Sequence, residues 1–404
     1  MPPTEAARAA GAGQAWPGRP ALPPRLPPLA LYVHLPWCVR KCPYCDFNSH
    51  VPVGALPERA YVDALLADLD LDLAAAAGRP LQSVYLGGGT PSLFSPEALA
   101  RLLDGVRRRL ALVAHAEITL EANPGTLRAG YFAELRACGI NRISVGVQSF
   151  DERHLRTLGR IHDAAAARAT VAAVQAAGFG EINIDLMAGL PGQDVTQALA
   201  DVEAALALAP THLSHYQLTI EPGTAFARRP PRVPADATVI AQQTACRERL
   251  AAAGFDHYEV SALARPGHAA RHNVHYWRFG DYLGIGAGAH AKLSGADGIR
   301  RRTRLANPAR YLDAAGSAAA VAETLWLDAG DAAVEFLLNG LRLRQGFDPA
   351  LFEERTGVAW ATQQPAVVRA QALGLLEQAA GRWRASARGW ALLDTLLGLF
   401  LPAR

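Results

Sequence analysis

The chain is poor in cysteine, carries little net charge and lacks long apolar runs, and each shortage excludes a class of protein. Five cysteines in 404 residues argue against a secreted scaffold held by disulfides. Lysine and arginine total 40 against 37 aspartates and glutamates, so the net charge of +3 gives no case for nucleic-acid binding. No stretch reaches the roughly 18 uninterrupted apolar residues of a membrane-spanning helix. Half of the residues are hydrophobic, which is enough for sizeable cores.

Composition also divides the chain. Residues 1–28 contain eight prolines but no continuous apolar core, so we predict a disordered leader and not a secretory signal. Residues 29–265 alternate between apolar runs and helical patterns, and 266–325 form an irregular connection rich in glycine and aromatic residues. Residues 326–404 read as a small helical domain with a β wing. Its last apolar segment, GWALLDTLLGLFL, is predicted to be a core helix.

Six strand-then-helix units fill the first large region. The strands are predicted at LALYVHL, LQSVYLGGG, AEITLEANP, NRISVGVQS, EINIDLMAGLPG and HLSHYQLTI. Apolar strands separated by helices predict a parallel sheet covered by helices. Periodicity leaves open whether that sheet is a doubly wound sheet or a barrel. In both folds the functional site lies at the carboxyl ends of the strands.

Polar and glycine residues do follow the apolar runs. They are Cys38, Gly87 to Thr90, Glu121, Gln148, Asp185 and Thr219. One edge of the sheet is therefore predicted to collect the chemistry.

Three cysteines form the strongest local signal. Cys38, Cys42 and Cys45 have the spacing C-x3-C-x2-C. A fully protein-ligated [4Fe–4S] cluster uses four thiolates, so three would leave one iron open. A zinc site would need a fourth ligand, for which His34 or His50 could serve. The two remaining cysteines, at 138 and 246, are predicted to be buried apolar thiols.

Several other motifs have two interpretations each. The loop GGGTPS, from Gly87, is either a cradle of free N–H groups for an anion or a tight turn. Glu121 and Asp185, carboxylates within apolar strands, either bind a ligand or cap a loop. The histidines of RHNVHYW, residues 271–277, are either haem or metal ligands or structural hydrogen-bonders. The basic run from Arg300 to Arg304 is predicted to lie on a solvated strand.

Six motifs in order resemble the radical S-adenosylmethionine superfamily, and within it the HemW haem chaperones. The motifs are YVHLPWCVRKCPYCDF, GGGTPS, LEANPGT, GVQSF, IDLMAGLPGQ and HNVHYW, and the resemblance covers about residues 30 to 395. HemW proteins are relatives of HemN, the oxygen-independent coproporphyrinogen III oxidase. The resemblance implies an α/β fold: a partial (β/α)6 radical SAM barrel with a C-terminal helical, winged-helix-like domain.

The resemblance also implies the cofactors. A [4Fe–4S] cluster would sit on Cys38, Cys42 and Cys45, its open iron chelating S-adenosylmethionine, the family's source of a 5′-deoxyadenosyl radical. The resemblance implies that Tyr32 and Tyr44 lie beside the cluster and S-adenosylmethionine. It implies that the amino-acid end of this cofactor is bordered by Gly88, Gly89 and Thr90. Its ribose and carboxylate would be lined by Glu121, Gln148, Arg160 and Asp185, and its adenine would lie near Thr219. His272 and His275 become candidates for the haem side, and no catalytic residue is implied.

One departure separates the two relatives. The oxidase motif has a further cysteine two residues after the third, where this chain has Phe47. The HemW resemblance therefore implies haem binding and delivery to respiratory proteins at a membrane surface by a cytoplasmic protein, with a reductant for the cluster and a cluster-dependent homodimer as further expectations. The alternatives are the decarboxylating oxidase and a zinc- or cluster-stabilised binding module without turnover.

Overall fold

We describe residues 25–125 and 128–401 of a computed structural model of the chain. The leader predicted over residues 1–28 lies outside this part except for its last four residues. None of the described helices is long and apolar enough to cross a membrane.

The described chain alternates strands and helices up to the sixth strand. The strands are β1 (Leu29–Leu35), β2 (Leu81–Gly88), β3 (Leu112–Ala122), β4 (Arg142–Gln148), β5 (Glu181–Ala188), β6 (His212–Gln217), β7 (Asp256–Glu259), β8 (Ala262–Ala264), β9 (Asp281–Ile285), β10 (His290–Gly295), β11 (Gly298–Arg304), β12 (Val321–Leu327), β13 (Leu376–Ala379) and β14 (Arg382–Ala385). The helices are α1 (Glu58–Ala76), α2 (Pro96–Arg109), α3 (Tyr131–Ala137), α4 (Glu152–Thr157), α5 (Ala164–Ala176), α6 (Val195–Leu206), α7 (Ala225–Arg228), α8 (Asp236–Ala252), α9 (Arg271–Trp277), α10 (Pro308–Ala314), α11 (Ala329–Gly340), α12 (Pro349–Thr356), α13 (Gln364–Ala372), α14 (Ala387–Ala391) and α15 (Leu393–Gly398).

Strands β1 to β6 pair in parallel and in chain order within a sheet of 12 strands. A doubly wound sheet would reverse its strand order at a switch point, whereas a barrel continues in one direction. The unreversed order settles the question that periodicity left open and confirms the predicted partial (β/α)6 barrel. All six carboxyl ends therefore meet at one end of the barrel.

The helices begin where a side chain can satisfy free backbone N–H groups. Ser95 accepts from the N–H of Ala98 at the start of α2, and Asp163 accepts from Ala166 at the start of α5. Asp194 and Gln197 form a reciprocal capping box at the start of α6. Such caps set the register of each helix behind its strand, and so position the loops at the carboxyl end.

The prediction of an irregular connection over residues 266–325 is wrong. The segment contains helix α9 and strands β9 to β11, and it continues into β12. Strand β9 pairs in parallel with β1, and β10, β11 and β12 follow antiparallel, extending the sheet beyond the barrel. Glycines at the strand ends obscured this pattern in the sequence.

The basic run does lie on a strand, β11, but the prediction that this strand is solvated is wrong. Arg304 is only 1% exposed and its guanidinium lies 2.8 Å from a carboxylate oxygen of Asp68 and 2.7 Å from one of Asp72. Arg302 also pairs with Asp72, and Arg301 pairs with Glu335 of α11 at 2.5 Å. Because α1 and α11 supply carboxylates, the arginines bind the sheet extension to both helices.

The C-terminal domain packs around its own aromatic core, which includes Phe336, Phe347 and Phe352. Helix α13 ends at Ala372, because Gly374 adopts a φ of +67° and the chain turns back into β13. Strand β13 pairs with β14, which is the predicted wing. The last apolar segment forms two short helices, α14 and α15, where one was predicted, and Leu396 is fully buried in the core as predicted.

Candidate functional site

The three-cysteine loop leaves the carboxyl end of β1 and is closed by backbone hydrogen bonds. The N–H of Cys38 donates to the carbonyl of His50 at 2.9 Å, and the N–H of His50 donates to Pro36 at 2.7 Å. Within the loop the N–H of Cys45 donates to the carbonyl of Cys42 at 3.2 Å. All three thiols are half-buried and free of disulfides. The loop is therefore a preformed turn that presents three thiols together.

The GGGTP loop packs directly against this turn. The N–H of Gly89 donates to Leu35 at 2.8 Å and that of Thr90 donates to Trp37 at 2.7 Å. A Cβ at Gly89 would lie 2.6 Å from the Trp37 carbonyl oxygen, so only glycine fits. The N–H of Gly88 donates to the carboxylate of Glu121 at 3.1 Å. Of the two interpretations of this loop, the cradle of free N–H groups is not borne out, because the N–H groups of Gly88, Gly89 and Thr90 are all engaged within the protein.

Polar side chains contact each of the three thiols. The hydroxyl of Thr90 donates to Cys38 Sγ at 3.3 Å, and Arg160 Nη1 donates to Cys42 Sγ at 3.7 Å. The third thiol, Cys45 Sγ, lies 3.9 Å from Ser49 Oγ. Burial raises the pKa of the Cys38 thiol, and the hydrogen bond from Thr90 opposes that rise. The loop therefore suits thiolates that are stabilised by a bound metal group.

Both histidines considered as a fourth zinc ligand, His34 and His50, already make hydrogen bonds within the protein. Both ring nitrogens of His34 make hydrogen bonds of 2.8 Å, to the Tyr32 hydroxyl and the Asn48 carbonyl. His50 Nε2 bonds to the Asn48 side chain at 2.9 Å. Within the two described ranges, no three His, Cys, Asp or Glu side chains converge closely enough to hold a single metal ion. Three thiols on one turn fit a larger, multi-iron cluster better than a single zinc ion.

Glu121 lies at the end of β3, beside the glycine loop. Its carboxylate accepts hydrogen bonds from the Tyr85 hydroxyl and the Gly88 N–H. Burial raises the pKa of Glu121 to about 7, the two hydrogen bonds oppose the rise, and the negative charge of Asp185 adds to it. No ion pair joins Glu121 to a cation in the described part of the chain. Such a carboxylate gains stability when a cationic or hydroxyl-bearing ligand binds.

Gln148 ends β4, and Asp185 lies within the neighbouring strand β5, three residues before its end. Asn183 and Ser144 donate to the Asp185 carboxylate at 2.7 and 3.2 Å, and burial raises its pKa. Gln148 accepts from the Tyr216 hydroxyl at 2.7 Å. Its φ of +74° is unusual for a residue other than glycine, and strain of this kind is common at ligand sites.

The predicted aromatic positions flank the same end of the barrel. The rings of Tyr32 and Tyr85 are stacked with centroids 6.1 Å apart, and Tyr44 packs on Phe226 at 6.4 Å. Thr219, in contrast, is exposed two residues beyond the end of β6. The described residues give it no hydrogen bond to the other predicted positions.

The two histidines of the HNVHYW motif lie on helix α9 in different surroundings. His272 is buried, its Nδ1 lies 2.6 Å from Glu117 and its ring centroid lies 4.3 Å from that of Tyr85. His275 Nε2 lies 2.7 Å from the carbonyl oxygen of Asp281, and burial lowers the pKa of His275 to about 4. Tyr85 therefore contacts both His272 and Glu121.

Sequence reasoning missed four side chains of this region. They are Tyr85, Glu117, Asn123 and Tyr216. Asn123 stands two residues after Glu121 in the quoted motif LEANPGT, and Tyr85 stands two residues before the first loop glycine. Residues separated by two in a strand share a face, and that signal would have found both.

Comparison with known proteins identifies the family. Residues 32–205 match the family model of the radical SAM superfamily, and residues 327–392 match that of the HemN C-terminal domain. The chain is 46% identical to the haem chaperone HemW of Escherichia coli over 383 residues, covering 93% of this chain and 99% of that protein. It is 39% identical to haem chaperone HemW of Mycobacterium tuberculosis, covering 92% and 95%.

A solved structure supports the fold. The coproporphyrinogen III oxidase HemN of Escherichia coli superposes with a TM-score of 0.79 at 23% identity, covering 93% of this chain and 91% of that one. At 23% identity this similarity supports the fold alone. It agrees with both the barrel and the C-terminal domain of the described chain.

Proposed function

The chain belongs to the HemW family within the radical S-adenosylmethionine superfamily, and on this premise we propose that it is a haem chaperone. It binds haem and passes it to haem-requiring respiratory proteins. The observation that carries this proposal is similarity to HemW chaperones along nearly the whole chain, whereas the likeness to the oxidase concerns the fold. Phe47, 57% exposed where the oxidase motif has a cysteine, supports the same assignment.

Membership of the radical SAM superfamily implies a [4Fe–4S] cluster and S-adenosylmethionine. The thiols of Cys38, Cys42 and Cys45 would hold the cluster, which supplies the electron that cleaves S-adenosylmethionine. The backbone of Gly88 and Gly89, with Thr90, would border the amino-acid end. Glu121 and Asp185 have no ion-pair partner among the described residues, and their carboxylates suit the ammonium and ribose hydroxyl groups of that ligand.

His272 is the better haem ligand of the two candidates. Its Nδ1 faces Glu117, whose pKa is about 2 because His272 and Arg142 outweigh the effect of burial, so the carboxylate is ionised at neutral pH. An ionised carboxylate accepts, and Nδ1 therefore carries the proton. When the ring is neutral, Nε2 keeps its lone pair, and this is the form of imidazole that binds a metal.

His275 is committed to the fold. Its Nε2 lies 2.7 Å from the Asp281 carbonyl, which can only accept, so this nitrogen carries the proton. A Cβ at Gly280 would fall 2.4 Å from the same nitrogen, which indicates how closely the ring is packed. Ligation through Nε2 would break that contact, and we assign His275 a structural role.

The remaining partners follow from the proposed activity. The cluster needs a reductant, and the haem needs an acceptor, which we place among respiratory proteins at the membrane surface. A cytoplasmic location, peripheral contact with that membrane and a cluster-dependent homodimer belong to the same proposal.

The second candidate function is oxidative decarboxylation of coproporphyrinogen III. The matched HemN C-terminal domain and the shared barrel favour it. It would act on propionate side chains, whereas the chaperone leaves its cargo chemically unchanged. One anaerobic preparation can therefore be used to test both functions.

The test is a pair of anaerobic assays on reconstituted protein. We expect stoichiometric haem binding in a Soret-band titration and no formation of protoporphyrinogen from coproporphyrinogen III. His272→Ala should weaken haem binding at least tenfold, and the matched His275→Ala variant should retain it if it folds. Unchanged haem binding in His272→Ala would overturn the assignment of His272, and formation of protoporphyrinogen would establish the oxidase instead.

A further inference from the structure

Three side chains join two of the cluster thiols in one hydrogen-bonded belt. The thiol belt consists of Thr90, Asn123 and Arg160, and it runs from Cys38 to Cys42. Arg160 Nη2 donates to Asn123 Oδ1 at 2.5 Å, and Asn123 Nδ2 donates to Thr90 Oγ1 at 2.8 Å. We propose that Asn123 is a positioning residue that directs the Thr90 hydroxyl onto Cys38 and thereby sets the reduction potential of the cluster.

The direction of every bond in the belt is determined by chemistry. Arginine can only donate, so the atom of Asn123 that faces Arg160 is the carbonyl oxygen. The other end of the amide is then NH2, which donates to Thr90 Oγ1. A hydroxyl has one proton, and because Asn123 supplies its own, the proton of Thr90 is left for Cys38 Sγ, 3.3 Å away. Arg160 therefore acts on Cys42 directly and on Cys38 through two intermediate side chains.

Asn123 is held in place from several sides. Its backbone N–H donates to Ser92 Oγ at 3.3 Å, and Arg160 is anchored by a second bond of 2.6 Å to the carbonyl of Gly146. A Cβ at Gly146 would lie 2.8 Å from Asn123 Oδ1, so the amide occupies the space that a larger residue would need. The belt is therefore a built feature of the strand ends of β3 and β4.

The belt has a defined effect on a cluster bound to these thiols. Hydrogen bonds to cluster sulfurs favour the reduced, more negative state and so raise the reduction potential. Losing the donor to Cys38 should lower the midpoint potential. This inference rests on the proposed cluster site, since the belt acts only through Cys38 and Cys42.

The experiment measures the midpoint potential of the anaerobically reconstituted full chain by a redox titration followed by electron paramagnetic resonance. Thr90→Val removes the donor with little change in shape and should lower the midpoint, while Thr90→Ser keeps the hydroxyl and should match the wild type. Asn123→Asp keeps an acceptor for Arg160 but turns the Thr90 hydroxyl toward the new carboxylate, so it should also lower the midpoint.

A double-mutant comparison separates the belt from simple charge. The added negative charge of Asn123→Asp would lower the midpoint equally with or without the Thr90 hydroxyl, whereas the belt predicts a larger drop when Thr90 is present. Equal drops in both backgrounds, or a fully loaded Thr90→Val variant with an unchanged midpoint, would overturn the inference. Failure of the cluster site is a separate result, because Cys38→Ala would then retain its iron and sulfide.

Discussion

Two glutamates on one strand, four residues apart, have opposite electrostatic surroundings. Glu117 and Glu121 lie on the same face of β3. Glu117 accepts bonds from the backbone of Arg271 and His272 and lies beside Arg142, and its pKa falls to about 2 although burial alone would raise it. Burial raises the pKa of Glu121 to about 7, with Asp185 as a negative neighbour.

The same contrast separates two aspartates. Asp281 in the sheet extension pairs with Lys292 at 2.9 Å and Arg79 at 2.7 Å, and its pKa is lowered although burial opposes this. Burial raises the pKa of Asp185, at the carboxyl end of the barrel, and no ion pair joins it to a described cation. Buried carboxylates that are paired with cations serve the fold, whereas those without an ion pair among the described residues are candidate positions for a ligand.

The largest expected effect comes from breaking a satisfied pair. Lys292→Met should lower the free energy of unfolding by about 3–5 kcal/mol, because it leaves the buried Asp281 carboxylate short of one cation. Chemical denaturation of the variant measures this. The control is Arg101→Met, which removes an exposed pair with Asp63 and should cost less than about 1 kcal/mol. Equal costs would mean that burial does not distinguish the pairs.

Glu117→Gln should also destabilise the protein, by about 3 kcal/mol at neutral pH. The pKa of Glu117 is about 2 in the fold against 4.5 ordinarily, so its contribution is present above about pH 4.5 and is lost as the pH falls toward 2. Unfolding curves of wild type and variant at several pH values measure the difference. A difference that does not shrink as the solution becomes more acidic would contradict the assignment.

Glu121→Gln should change the free energy of unfolding in the opposite direction. The folded pKa of about 7 lies above the ordinary 4.5, so the wild type loses stability as the pH rises through that window. The variant lacks this loss and should be more stable at pH 8 by about 1–2 kcal/mol, after allowance for weaker bonds to Tyr85 and Gly88. The same denaturation series detects it. A destabilised variant at pH 8 would show that Glu121 serves the fold.

The barrel was predictable because its signal is local. Apolar runs alternate with capped helices, and the polar residues fall just after each run, so the strands and the functional end followed from the sequence. Strands β9 to β12 were not predictable in this way. From the sequence, the arginines of β11 are predicted to be solvated. In the fold, Asp68 and Asp72, more than 200 residues earlier in the chain, pair with Arg304.

The residues of the candidate site also fall into those that the sequence could predict and those that it could not. The three cysteines stood out because of their C-x3-C-x2-C spacing, and Glu121 and Asp185 because carboxylates are unusual in apolar strands. Asn123 and Tyr85 did not, since an asparagine just after a strand suits an ordinary loop and a tyrosine within a strand suits ordinary packing. Their roles depend on partners from other strands, and the engaged N–H groups of Gly89 and Thr90 likewise depend on contacts with the cysteine loop.

The central claim is that S-adenosylmethionine binds beside the carboxylates that have no ion pair among the described residues. The affinity of S-adenosylmethionine for two reconstituted variants tests this claim most directly. Calorimetric titration should show that Glu121→Gln weakens S-adenosylmethionine binding by at least about tenfold, because the variant loses one hydrogen bond to a charged group. Glu117→Gln, four residues away on the same strand, should bind like the wild type at a temperature where it is folded. Unchanged affinity in Glu121→Gln, or a loss confined to Glu117→Gln, would contradict the account.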